Sequence, residues 1–142
     1  MTNRGARITT IVPILLIPAL IYDAVTRAEP WTPLRITGLA VALIFLALLS
    51  IARFQLGNNF SIAPEAHQLV TTGVYSKIRN PVYVFGVIAI AGVVIYNHLY
   101  IALAAMLAFV IPMQVMRARA EARVLEAKFG DEYRNYRAKT WF

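Results

Sequence analysis

Apolar residues in this chain gather into four long runs, at about Ile8 to Val25, Ile36 to Ala52, Val82 to Tyr96 and Leu99 to Val115. Each approaches the roughly 17–25 residues that a helix needs to cross a hydrocarbon core about 30 Å thick. The third run is short, so its ends are expected to reach into the interface. Polar residues mark the boundaries: Asp23, Arg27 and Glu29 follow the first run, Arg35 sits inside the start of the second, and Arg53 follows it. Only Asn97 and His98 separate the last two runs, which predicts an antiparallel hairpin. The pattern as a whole predicts an all-α, polytopic membrane protein with four transmembrane helices.

The periodicity continues past the fourth run. In "QVMRARAEARVLEAKFG", Ala118, Ala122, Leu125 and Phe129 recur at spacings of four, three and four, which places an apolar stripe on a helix leaving the membrane. Gly130 ends that helix, and "DEYRNYRAKTWF" follows as a short amphipathic tail whose Tyr133, Tyr136, Trp141 and Phe142 suit an interface. Between the second and third runs lies a polar loop, Gln55 to Asn80, with Gly57, Asn58 and Asn59 as turn residues; it is longer than a simple connector. Asn80 is predicted to cap the third helix and Pro81 to occupy its first turn. Pro13 and Pro18 are expected to kink the first helix. One domain, residues 1–142, is expected, with an N-terminal transmembrane hairpin in 1–56. Residues 57–142 supply a binding loop, a second hairpin and a C-terminal cytoplasmic helical extension.

Composition agrees, because a chain that is 59% hydrophobic and 15% charged is too apolar for an ordinary soluble domain of this size. With four spans, both termini and the middle loop share one side, which collects Arg4, Arg7, Arg53, Lys77, Arg79, Arg117, Arg119, Arg123, Lys128, Arg134, Arg137 and Lys139. Only Arg27 and Arg35 fall on the other side. The positive-inside rule therefore puts both termini in the cytoplasm, which in a bacterial cell means a multi-pass protein of the inner membrane. Tyr22, Trp31, Tyr96 and Tyr100 are then expected at the outer interface. The net charge of +7 points to anionic lipid headgroups and not to nucleic acid, since the basic residues border apolar spans. A cleaved signal peptide is disfavoured, because the first run is long and lacks a clean small-residue cleavage site. No cysteine is present, which removes disulfides, thiolate metal sites and a cysteine nucleophile. His67 and His98 fall on opposite faces of the membrane, so no metal site is expected.

Candidate chemistry gathers at the cytoplasmic mouth of the last two helices. Tyr75, Lys77, Arg79, Asn80 and Pro81 lie against the start of the third run, and Arg117 and Glu121 leave the fourth helix at the same depth. Taken singly, these residues have ordinary readings. Lys77 and Arg79 can anchor a membrane edge, and Arg117 and Glu121 can form a surface ion pair. Gly86, Ala89 and Gly92 can let helices approach closely.

Their order says more. The blocks "HQLVTTGVYSKIRNPVYVFG" and "RAEARVLEAKFGDEYRNY" are similar to the patterns LVxxGxYxxxRHPxY and EExxLxxxFGxxYxxY. From His67 to Tyr136, about half the chain, the sequence resembles the isoprenylcysteine carboxyl methyltransferases and the related membrane phospholipid methyltransferases. The resemblance implies an integral membrane methyltransferase that binds S-adenosylmethionine at the cytoplasmic side without a Rossmann domain. Carried over by position, it implies that His67, Gln68, Leu69, Val70, Gly73 and Tyr75 line the cofactor site. Asn80, Pro81 and Tyr83 stand at the helix entrance, and Glu121 completes the site. Glu121 and Arg79 are the candidate catalytic residues, joined by Arg117, which lies one turn before Glu121. Phe129, Gly130, Tyr133 and Tyr136 match the second block. Two positions depart from the patterns: Asn80 stands where the family usually has His, and Ala122 where it usually has a second Glu. Asn cannot carry a proton near neutral pH, so any acid/base role of that histidine is absent here.

The implied acceptor is a lipophilic small molecule or lipid carrying a carboxylate, thiol or amine, and no residue chooses among these. A homodimer is compatible with the small-residue face. Two alternatives stay open: a non-catalytic membrane scaffold of the same fold, and a small four-helix transporter. The second would need an ionisable group deep in a span, and only Asp23 and Arg35 come near that, both close to span ends.

Overall fold

The computed structural model describes residues 3–57 and 69–141, with side chains from residue 10 onward. His67, Gln68, Asn58, Asn59 and Phe142 lie outside the described residues. Five helices are seen among the described residues: α1 Asn3–Thr26, α2 Pro33–Leu56, α3 Pro81–Tyr96, α4 Tyr100–Phe129 and α5 Asp131–Lys139. The described chain is otherwise loop, a short 3₁₀ turn at Gly73–Ser76 and an isolated bridge between Ile78 and Trp141.

Local chemistry explains the boundaries. Thr32 caps α2 by accepting the Arg35 amide proton on its hydroxyl at 3.2 Å, and Pro33 follows in the first turn, where its missing N–H costs nothing. Helix α1 continues through both Pro13 and Pro18. Helix α4 is 30 residues long, about 45 Å at 1.5 Å per residue, and it carries the apolar fourth run and its polar extension as one rod. It contains a π turn at Met106–Val110, just before Pro112. A proline has no N–H to give and its ring crowds the preceding turn, and the widened turn relieves both. Gly130 ends α4 with φ +51°, a left-handed value that suits glycine, and its N–H returns to the Glu126 carbonyl at 2.9 Å.

By length and composition α2 and α4 are each apolar enough to cross a membrane, and Thr10–Thr26 and α3 form shorter apolar helices. Helix α3 packs most extensively on α2, not on α4. The sequence pairs it with α4 because only two residues separate them; small residues decide otherwise. Gly38 of α2 and Gly92 of α3 meet backbone to backbone: a Cβ on Gly92 would stand 2.5 Å from the Ala42 nitrogen and 2.8 Å from the Gly38 oxygen. The two helices run antiparallel, with Phe45 and Phe85 edge to face at 5.9 Å near the middle and Ala52 against Phe85 and Tyr75 at the far end. Since this face of α3 is filled by α2, it is not free to pair with a second chain. Gly86 is different, because a Cβ there meets nothing within 4 Å. It lines an apolar groove of about 460 Å³ shared with α1 and α2.

At the end of the bundle near Gly38 a polar cluster joins α1, α2 and α3. Arg35 is fully buried (0% exposed); it donates to the Tyr96 hydroxyl at 3.2 Å and lies over the rings of Trp31 and Tyr96 at 4.8 and 5.0 Å. Tyr96 in turn donates to Asp23 Oδ2 at 2.8 Å, and Arg27 donates to Asp23 Oδ1 at 2.8 Å and to Asn97 at 3.0 Å. Tyr96, expected at the interface, is instead wholly buried because its hydroxyl bridges an arginine and a carboxylate. Tyr96→Phe removes that bridge: buried Arg35 loses one of its acceptors, and Asp23 loses a donor while keeping Arg27. The substitution is expected to destabilise the protein by about 1–3 kcal/mol, the usual cost of leaving a buried polar group unsatisfied. Reversible denaturant unfolding of the two proteins in mixed micelles measures it.

Candidate functional site

The described stretch before α3, residues 69–80, is fastened from two sides. On one side, Gly73 opens its 3₁₀ turn at φ +61°, and the Gln55 side chain fills the place where a Cβ would stand. Gln55 also accepts the Val74 amide proton at 2.9 Å, so the end of α2 holds the turn directly. The left-handed φ is what favours glycine there.

On the other side, α5 folds back onto the segment. The Tyr136 hydroxyl donates to the Tyr75 carbonyl at 2.7 Å. Trp141 donates its N–H to the Lys77 carbonyl and accepts from the Arg79 N–H, both at 3.0 Å. Tyr133 and Tyr136, expected at an interface, are 1% and 9% exposed because they form the contact surface of this clasp. Burial pushes the Tyr136 phenol up to about 12 and the Tyr75 phenol higher still, so both hydroxyls stay neutral at physiological pH.

Held this way, the segment and the ends of α2, α3 and α4 line a small cavity of about 30 Å³. Tyr75, Arg79, Asn80, Pro81, Tyr83 and Glu121, six residues singled out from the sequence, line it together with Leu56 and Val82. Across it the Tyr83 hydroxyl donates to Glu121 Oε2 at 2.7 Å, a contact spanning 38 residues of sequence. The Arg117 guanidinium lies over the Tyr83 ring at 5.7 Å. Tyr83 therefore has a carboxylate at its hydroxyl and a cation at its face. Asn80 does not cap α3 with its side chain; its backbone carbonyl receives the Tyr83 and Val84 amides at 3.1 and 3.2 Å. Val70 packs into the apolar cluster around Tyr75 and Phe85, Gly73 faces Gln55, and Leu69 is half-buried, so none of these three lines the cavity.

Among the buried polar atoms of the described residues that have no hydrogen-bond partner are the Tyr75 hydroxyl and Arg79 Nε, both on residues that line this cavity. Buried donors normally find acceptors, so the pair marks a place for a polar group from outside the chain. A volume of about 30 Å³ admits a water-sized group, not a nucleoside.

Three further residues escape sequence reasoning. Gln55 looks like the last polar residue of a span. Gln114 is a single polar residue in an apolar run, yet it lies three and seven positions before Arg117 and Glu121 and lines an apolar groove of about 200 Å³ between α3 and α4. Tyr83 belongs to both the groove and the cavity. Arg53, which reads as a boundary marker, is 2% exposed and donates to the Thr10 hydroxyl of α1 at 3.4 Å. Helical spacing carries a usable signal for Gln114; nothing in the linear sequence signals the other two.

A family model described as phospholipid methyltransferase matches residues 32–132. The chain belongs to the phospholipid methyltransferase family. The matched region starts at the cap of α2 and ends in α5, so it contains every residue lining the cavity and leaves α1 outside. No curated protein and no solved structure matches the chain significantly. Membership in this methyltransferase family, with the apolar α2 and α4, makes this a membrane protein.

Proposed function

We propose that the chain is an integral membrane, S-adenosylmethionine-dependent methyltransferase acting on a lipophilic acceptor at the cytoplasmic interface. In this reading α1 to α4 all cross the membrane, with both termini in the cytoplasm. The observation that carries the reading is the cavity itself, where the Tyr83–Glu121 pair stands beside two unsatisfied buried donors, Tyr75 Oη and Arg79 Nε. These groups fit a polar, partly anionic ligand of the kind the family implies.

S-adenosylmethionine, when bound, supplies a methyl carbon on a sulfonium, open to in-line attack. The chain's part is placement, charge and exclusion of water. Arg79 and the Tyr75 hydroxyl offer donors to a ligand carboxylate or hydroxyl, and the aromatic faces of Tyr75 and Tyr83 suit a cation. The Glu121 carboxylate, held in register by the Tyr83 hydroxyl, would take the proton that an amine or thiol acceptor releases when its lone pair bonds the methyl carbon and the carbon–sulfur bond breaks to leave S-adenosylhomocysteine. A carboxylate acceptor releases no proton, and Glu121 would then serve only to position Tyr83. Arg117, over the Tyr83 ring, is placed to hold an acceptor phosphate or carboxylate. The apolar groove between α3 and α4 that ends at Tyr83 suits the acceptor's tail, with Gln114 its polar exception.

The test is transfer of a radiolabelled methyl group from S-adenosylmethionine to a total membrane lipid extract by the protein in nanodiscs. Label is expected in the organic phase with wild-type protein and is expected to be lost in Tyr83→Phe, Glu121→Gln. Cofactor binding without any transfer to lipid, protein or small-molecule fractions would contradict the reading.

A further inference from the structure

Trp141 is the most conspicuous side chain that the proposed chemistry leaves unused. Its backbone is fixed by two hydrogen bonds, to Lys77 and Arg79, yet its indole is 76% exposed. The preceding aromatics of the same tail, Tyr133 and Tyr136, are buried. A rigidly held, outward-pointing indole is costly in water and favourable at a membrane–water boundary, where its ring meets apolar chains and its N–H meets headgroups.

The depth of Trp141 follows from α3. That helix has 16 residues, about 24 Å at 1.5 Å per residue. This is shorter than a hydrocarbon core of about 30 Å. Its first residue, Pro81, therefore sits at or within the hydrocarbon boundary, and the Lys77–Arg79 segment just before it lies in the headgroup layer. Trp141 is pinned to that segment. The side chains around it carry the matching charge: Lys77 and Lys139 are exposed cations, and Arg137 stands in the last turn of α5. Cations at this level are attracted to anionic headgroups and lose that attraction within a Debye length of the surface.

We propose that the C-terminal tail is an interfacial anchor, with the Trp141 indole seated in the headgroup layer on the side where α3 begins and Lys77 and Lys139 drawing it towards phosphate-bearing anionic lipids. The anchor acts on the site by geometry, because the segment that holds Trp141 also supplies Arg79 to the cavity. It concerns membrane seating and stands whether or not methyl transfer is the activity.

The chain has two tryptophans, so Trp31→Phe leaves Trp141 as the only indole and keeps a ring over Arg35. In nanodiscs of phosphatidylcholine and phosphatidylglycerol, Trp141 fluorescence is expected to be quenched strongly by lipids brominated high on the acyl chain and weakly by lipids brominated near its methyl end. Equal, negligible quenching by both would overturn the anchor. Shallow quenching is also expected to fall when phosphatidylglycerol is replaced by phosphatidylcholine, and this dependence is expected to vanish in Lys77→Gln, Lys139→Gln. A charge dependence unchanged in that variant would overturn the role of the two lysines.

Discussion

Glu121→Gln is expected to lower methyl transfer to an amine or thiol acceptor by about 10²- to 10⁴-fold, the range usual for loss of a positioned general base. Glutamine has the same shape, and its amide oxygen can still accept the Tyr83 hydroxyl that Glu121 receives at 2.7 Å. The cavity should therefore keep its form and lose only its carboxylate. Cofactor affinity is expected to change little, and the loss should appear in kcat. Tyr83→Phe should produce a smaller loss, because the carboxylate remains but is no longer oriented. Steady-state rates with a defined acceptor separate the cases. A Glu121→Gln enzyme with unchanged kcat would exclude the base role and favour a carboxylate acceptor, whose methylation releases no proton.

The second large effect is structural. Gly92→Leu is expected to separate α2 from α3, because even a Cβ at this position would come within 2.5 Å of the Ala42 backbone nitrogen. Overpacking by a few methylenes usually costs about 1–3 kcal/mol. Here the obstacle is backbone on both sides, which cannot turn away as a side chain can, so the cost should exceed that range. Gly86→Ala supplies the contrast, since the same Cβ meets nothing within 4 Å there and should be nearly neutral. Denaturant unfolding in mixed micelles, with helix content followed by circular dichroism, compares the two. Equal stability of both variants would contradict the close crossing.

This contrast also shows how far the sequence could be read. Gly86, Ala89 and Gly92 look alike in a linear run, and spacing alone assigns all three to helix contact. Of the two glycines, Gly92 meets another backbone and Gly86 does not, because which small residue does so depends on where a helix from elsewhere in the chain crosses. The four apolar runs, the end of α4 at Gly130 and the Pro81 start of α3 were legible because each depends on nearby residues. The α2–α3 pairing was not, since a two-residue connection made α4 look like the natural neighbour.

The candidate site divides the same way. Tyr75, Arg79, Asn80, Pro81, Tyr83 and Glu121 could be chosen from two ordered motifs, and the fold brings them to one cavity. Gly73 was chosen from the motif, and its contact with Gln55 was not legible, because Gln55 is 18 positions away and looks like the polar end of a span. The tyrosines of α5 have the composition of interfacial residues, and only the tail's return to Lys77 and Arg79 shows why they are buried. The cluster of Asp23, Arg35 and Tyr96 was hidden because its members read separately as span boundaries and a belt aromatic. Their bridge closes over 61 and 73 residues of chain.

Calorimetric binding of S-adenosylmethionine and S-adenosylhomocysteine to the protein in lipid nanodiscs, beside an Arg79→Ala, Glu121→Ala variant, bears most directly on the central claim. Micromolar binding by the wild type, weakened at least tenfold in the variant, or about 1.4 kcal/mol, is the predicted result. Absence of binding by protein that retains its helical content would contradict the account; Asn80 and Ala122 would then mark a chain that keeps the family's fold without its cofactor.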